Sequence, residues 1–143
     1  MNIGLNTAKI LSSILTNDVD LVAHLDLSKN LIGDKGVDIL ASAFQNSRNL
    51  VSLSLGSNDI SGVGMAKLLN AFTLNCSLST ISLSTEDGVQ RNRITSSASL
   101  EALKNFILTN KFCKVLKIKG VFLGLPGLRV ILDALCTAKR RFD

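Results

Sequence analysis

Apolar positions along this chain fall on a template that repeats. Val22, Leu25, Leu27 and Ile32 frame a polar turn at Asn30, and Leu50, Leu53, Leu55 and Ile60 frame Asn58 in the same way 28 residues later. Leu78, Ile81 and Leu83 restart the pattern, which Asn92 and Ile94 complete; Cys113, Leu116, Ile118, Val121 and Leu123 form a fourth copy with valine in place of asparagine. Apolar and polar residues alternate around each leucine pair, which predicts a short strand. Beyond each turn the spacing becomes helical. Val37, Leu40 and Phe44 correspond to Met65, Leu68 and Phe72, then Leu100, Leu103, Phe106 and Ile107 follow. The last helix carries Leu128, Ile131, Leu132 and Leu135 behind Pro126, a residue suited to a first turn. Strand, turn and helix repeated in one order require parallel strands. Self-similarity at this period marks a solenoid, in which each unit buries its apolar face on its neighbour. The expected class is α/β, with parallel strands on a concave face and helices on a convex one.

Residues 1–143 read as a single domain, with a capping helix within 1–19 and repeats at 20–47, 48–76, 77–111 and 112–143. Leu5, Ala8, Leu11 and Leu15, flanked by Ile10 and Ile14, predict the capping helix, starting from a cap at Asn6 or Thr7. Asn17, Asn46, Asn75 and Asn110 follow the helical stretches. Asparagine tolerates the left-handed conformation common at helix ends, so four similar helix-to-strand connections are expected. Asn30, Asn58 and Asn92 are expected to hydrogen-bond backbone groups that a turning, stacked chain leaves unpaired. The third repeat is longer by about six residues over Ser84 to Arg93, and an insertion in a repeat array maps to a loop.

Composition narrows the chemistry. Trp and Tyr are absent, so the aromatic anchors of many interfaces are scarce. The stretch 1–18 is too interrupted by polar residues for a signal peptide, and no run reaches the ~18 apolar residues of a membrane span. Cys76, Cys113 and Cys136 lack ligand spacing and are read as reduced packing residues of a cytoplasmic protein. No cofactor or metal is expected, and the glycines lack any phosphate-binding spacing. The net charge of +5 is uneven: residues 1–72 hold five basic and six acidic side chains, and residues 73–143 hold eleven and five. An acidic surface would therefore meet the C-terminal half.

The template LxxLxLxxNxI followed by GxxGxxxL and a helix resembles the ribonuclease-inhibitor-like class of leucine-rich repeat. Its residues here are Val22, Leu25, Leu27, Asn30, Ile32, Gly33, Gly36 and Leu40, then Leu50, Leu53, Leu55, Asn58, Ile60, Gly64 and Leu68. The resemblance implies a leucine-rich-repeat solenoid shaped as a short horseshoe, with a protein partner on the concave face. The lengthened late repeat, Ser84 to Arg93, and the closing unit Leu123 to Leu135 also resemble the leucine-rich domain of actin pointed-end cappers. Regulators of small GTPases, and leucine-rich effectors that act inside a host-cell cytoplasm, are similar in repeat type. No motif transfers a residue role from either.

A non-enzymatic protein-interaction module is the expected function. The concave face should present His24, Asp26 and Ser28; Ser52 and Ser54; Thr80, Ser82 and Ser84; and Lys117 and Lys119, with Glu86, Asp87, Gln90, Arg91 and Arg93 supplied by the inserted loop. Small polar residues also describe a merely solvated face, and His24 with Asp26 reads as a polar pair, not a catalytic dyad. Lys111, Lys114, Lys117 and Lys119 fit either an electrostatic patch or the protection of an edge strand. Nucleic acid is disfavoured because no aromatic interleaves these lysines. Four strands offer roughly 200 to 300 Å² of footprint, against about 800 Å² per partner in a standard interface. The rim and loop must therefore contribute, or the chain belongs to a longer array.

Overall fold

The computed structural model describes residues 5–17, 22–85 and 91–138. Helices and strands alternate as α1 (Leu5–Thr16), β1 (His24–Asp26), α2 (Gly33–Asn46), β2 (Ser52–Ser54), α3 (Gly62–Leu74), β3 (Thr80–Ser82), α4 (Ser97–Thr109), β4 (Val115–Lys117) and α5 (Gly124–Ala138). The strands form one parallel sheet in the order β1-β2-β3-β4. Its register aligns His24, Ser52, Thr80 and Val115 in one row, and Asp26, Ser54, Ser82 and Lys117 in another. Each helix packs on its sequence neighbours, from α1 through α5. A short four-repeat solenoid results, as the periodicity predicts.

One continuous core lies between the sheet and the helices. Leu53 and Ile81 project into it from the strands, Leu55 and Leu83 from just after them, and Phe44, Phe72 and Phe106 fill it from the helices at zero exposure. The rings of Phe44 and Phe72 are 6.3 Å apart and tilted by 40°, within the range in which aromatic pairs attract. The central helix α3 buries more than the single face its spacing suggests. Ala66, Leu69 and Ala71 are covered as well, because α2 and α4 flank it on both sides.

Two asparagine ladders hold the repeats in register. In the first, the Asn58 Oδ1 accepts from Asn30 N (3.1 Å) and Ile32 N (3.3 Å), while its Nδ2 donates to Leu27 O and Gly56 O. Asn92 serves Asn58 N, Ile60 N, Leu55 O and Leu83 O in the same way, across a gap of 34 residues instead of 28. The longer third repeat thus leaves the ladder contacts of Asn92 unchanged in kind. Val121 ends the ladder, and backbone takes over there: Phe122 N donates to Asn92 O and Ile94 N to Phe122 O, forming a parallel bridge.

The second ladder corrects an expectation. Asn75 and Asn110 have extended, not left-handed, backbones. They act through their side chains. The Asn75 Nδ2 donates to Phe44 O and Ser47 O and its Oδ1 accepts from Ser77 N and Leu78 N; Asn110 repeats this on Phe72 O, Asn75 O, Phe112 N and Cys113 N. Ser47, not Asn46, occupies the matching place after α2, where its hydroxyl accepts from Leu50 N. Among the described residues, the non-glycine left-handed positions are Lys29, Leu31, Ser57 and Asp59, on either side of the turn asparagines. Two smaller corrections concern the first helix and the cysteines. α1 starts at Leu5, so neither Asn6 nor Thr7 is its cap. Cys113 is buried as expected of a packing residue, whereas Cys76 and Cys136 are exposed.

Candidate functional site

Side chains alternate across a strand, so burying the leucines of each unit forces their neighbours onto the open face of the sheet. His24 and Asp26 stand exposed on β1, Ser52 and Ser54 half-covered on β2, Thr80 and Ser82 on β3, and Lys117 exposed on β4. Ser28, Ser84 and Lys119 extend these rows past the strand ends, with Gly56 between Ser28 and Ser84. The absence of a side chain at Gly56 is required, because a Cβ there would overlap the Ser84 carbonyl oxygen. Asp26, Ser28, Lys29, Ser54, Gly56, Ser57, Ser82 and Ser84 line a shallow groove of about 390 Å³.

The polar groups in this groove are linked to one another. The Ser28 and Ser54 hydroxyls lie 2.6 Å apart, and the Asp26 Oδ1 accepts from Ser28 N at 2.9 Å. Hydrogen bonds from the Ser28 hydroxyl and backbone N–H hold the Asp26 carboxyl below its ordinary value, the Ser54 hydroxyl adds to the effect, and partial burial opposes it. Asp26 is therefore engaged along its own strand and with its neighbour. Lys117 and Lys119 lie at the other end of the sheet, three strands away, a span of about 14 Å at the usual strand spacing. The face carries the Asp26 carboxylate at β1 with Lys29 at the groove's rim, hydroxyls in the middle and lysines at β4.

Along the rim, the residues following the ladder positions form a further row: Leu31, Asp59, Arg93 and Phe122. Arg93 pairs with Asp59 at 3.3 Å, both about half exposed, while Leu31 and Phe122 are apolar and exposed. Arg93 was expected at the site; Lys29, Leu31, Asp59 and Phe122 were not. Their signal in the sequence is their place next to Asn30, Asn58 and Val121, since a ladder asparagine turned inward leaves its neighbours at the surface. Arg91 is exposed beside this row. Glu86, Asp87 and Gln90 lie outside the described residues. Lys117 ends the edge strand β4 and Lys119 follows it, so both of their expected readings retain a geometric basis. Among the described residues, no group of three His, Cys, Asp or Glu side chains converges as metal ligands would, and no helix is long and apolar enough to cross a membrane.

Comparison with known proteins agrees with this architecture. A family model described as leucine-rich repeat matches residues 22–41 and 46–69, the first two copies of the template. No curated protein matches the sequence. Among solved structures, the chain is similar to one titled leiomodin-1 actin-binding site 2, with a TM-score of 0.71 and 14% identity over 97% of this chain and 79% of that one. It is also similar to the tropomodulin C-terminal domain of Caenorhabditis elegans, with a TM-score of 0.61 and 13% identity over 92% of this chain and 93% of that one. At such identities the likeness concerns the fold. The repeated template, parallel sheet and asparagine ladder, with the family match over the first two repeats, make the fold of this chain a short leucine-rich-repeat solenoid.

Proposed function

We propose that this protein is a non-enzymatic protein-binding module that takes its partner on the open sheet face, the adjoining rim and the inserted loop of the third repeat. The observation that carries this reading is the charge order across the face, from Asp26 through the serines to Lys117 and Lys119. A partner that matches it presents a basic group and an acidic group about 14 Å apart on a polar surface. The serines offer donors and acceptors with little side-chain entropy to lose, and Lys29, Leu31 and Phe122 on the rim extend the small footprint.

The test is recovery of partners from extract by the wild-type protein beside a variant with Asp26→Lys and Lys117→Glu. These changes invert the charge order at two exposed positions, so circular dichroism should report an unchanged fold. Loss of the specifically recovered proteins is expected. Recovery of the same set by both would overturn the reading.

A second reading is favoured by the fold likeness to a domain titled as an actin-binding site. Actin is then the partner, and the protein should slow elongation at filament pointed ends or co-sediment with filaments. Neither effect at micromolar protein would remove it.

A further inference from the structure

The C-terminal end of the solenoid is finished differently from its middle. α3, between two helices, buries eight of its 13 residues, whereas α5, among the described elements, packs on α4 alone and buries Gly127 and Ala134 of its 15. Leu125, Leu128 and Leu132 are 83%, 51% and 54% exposed, and Phe122 is 52% exposed. The leucine spacing makes a ridge along one side of the helix, beside a groove of about 750 Å³ that also takes in Arg129 and Asp133. Leu116 of the edge strand and Ile118 just after it remain partly open at the same end.

The charges around this apolar end are one-sided. From residue 112 to residue 138 the basic side chains are Lys114, Lys117, Lys119 and Arg129, and Asp133 is the acidic one. A second copy would bring these cations toward their own likenesses. The ridge of a 15-residue helix also covers only roughly 200 Å², far below the about 800 Å² per partner of a stable interface. A strand is a poor occupant as well, since β4 offers an edge of three residues. An amphipathic helix fits better. It would continue the row of helices, its apolar stripe meeting the leucine ridge and acidic side chains at its flank meeting the lysines.

We propose that the α5 end of the solenoid is a docking surface for an amphipathic helix with acidic flanks, separate from the open sheet face. The probe is a fluorescent 18-residue peptide with leucines at i, i+3, i+4 and i+7 and glutamates beside them, compared with the same peptide carrying lysines. The full chain should bind the acidic peptide with micromolar affinity that weakens with salt, and the basic one at least tenfold more weakly. Leu128→Lys with Leu132→Lys should abolish binding, while Ile10→Lys, which alters the exposed apolar side of α1 at the opposite end, should leave it unchanged. Because these side chains are exposed, circular dichroism should be unaffected. Equal binding of both peptides, binding of neither, or loss of binding with Ile10→Lys would each overturn the proposal. Sedimentation velocity provides the remaining check: a dimer at tens of micromolar that Leu132→Lys dissolves would assign the surface to a second copy instead.

Discussion

Replacing Asn58 by alanine tests the ladder at its middle rung. Asn58 has no exposed surface, and its side chain makes four hydrogen bonds. The four are not equivalent. Leu27 O also accepts from the Asn30 Nδ2 and Gly56 O from Lys29 N, so each carbonyl keeps a partner in the variant. Asn30 N and Ile32 N have no such reserve among the hydrogen bonds of the described residues. Leaving the buried Ile32 N–H unpaired costs about 1 to 3 kcal/mol, the part-buried Asn30 N–H about 1, and each of the two lost supplementary bonds about 0.5, so Asn58→Ala should lose roughly 3 to 5 kcal/mol. Asn30→Ala is the internal control: it removes donors to Leu27 O and Ser28 O from a half-buried site, for about 1 kcal/mol. The assay is urea unfolding followed by far-ultraviolet circular dichroism, since the chain has no Trp or Tyr to report by fluorescence. With a slope near ~2 kcal/mol per molar urea, the midpoint should fall by about 1.5 to 2.5 M for Asn58→Ala and about 0.5 M for Asn30→Ala. Equal shifts for the two variants would refute the assignment of the cost to the orphaned N–H groups.

Two further outcomes follow from the geometry of the site. Gly56→Ala should destabilise the fold by about 1 to 3 kcal/mol, the range for overpacking, because its Cβ meets backbone at Ser84 and cannot be relieved by a rotamer change; an unchanged thermal midpoint would contradict that contact. Asp26 has a folded pKa below its unfolded value, so its contribution to stability is present above the ordinary carboxylate range and is lost as the pH falls from about 4 through the lowered value. Unfolding of Asp26→Asn beside the wild type at pH 6 and pH 2.5 should show a gap at the higher pH that narrows at the lower one.

The repeat was legible because burial imposes period 2 on the strands and a helical period on the rest, and both survive in Leu25, Leu27, Leu40 and Phe44. The turn asparagines were legible for the same reason: a polar residue recurring among core leucines must be satisfied by backbone. The role of Asn75 and Asn110 was only half legible, because a position after a helix is compatible with a left-handed cap as well as with a side-chain bridge to the preceding repeat. Their partners Phe44 O, Ser47 O and Phe72 O are 28 to 38 residues away, and which of these carbonyls comes within reach is a matter of stacking.

Sequence alone therefore determined the unit, its order and the face each residue occupies, since these depend on local periodicity. Tertiary structure decided what spans units: that Asn92 reaches Asn58 across 34 residues with the sheet register unbroken, that Phe122 backbone replaces the asparagine missing at Val121, and that Arg93 meets Asp59 on the rim. It also decided that α5 keeps its leucines exposed while α3 hides residues on two sides. The physical reason is that the apolar pattern of a helix records how hydrophobic each side is. Whether a neighbour covers that side depends on the helix's place in the stack.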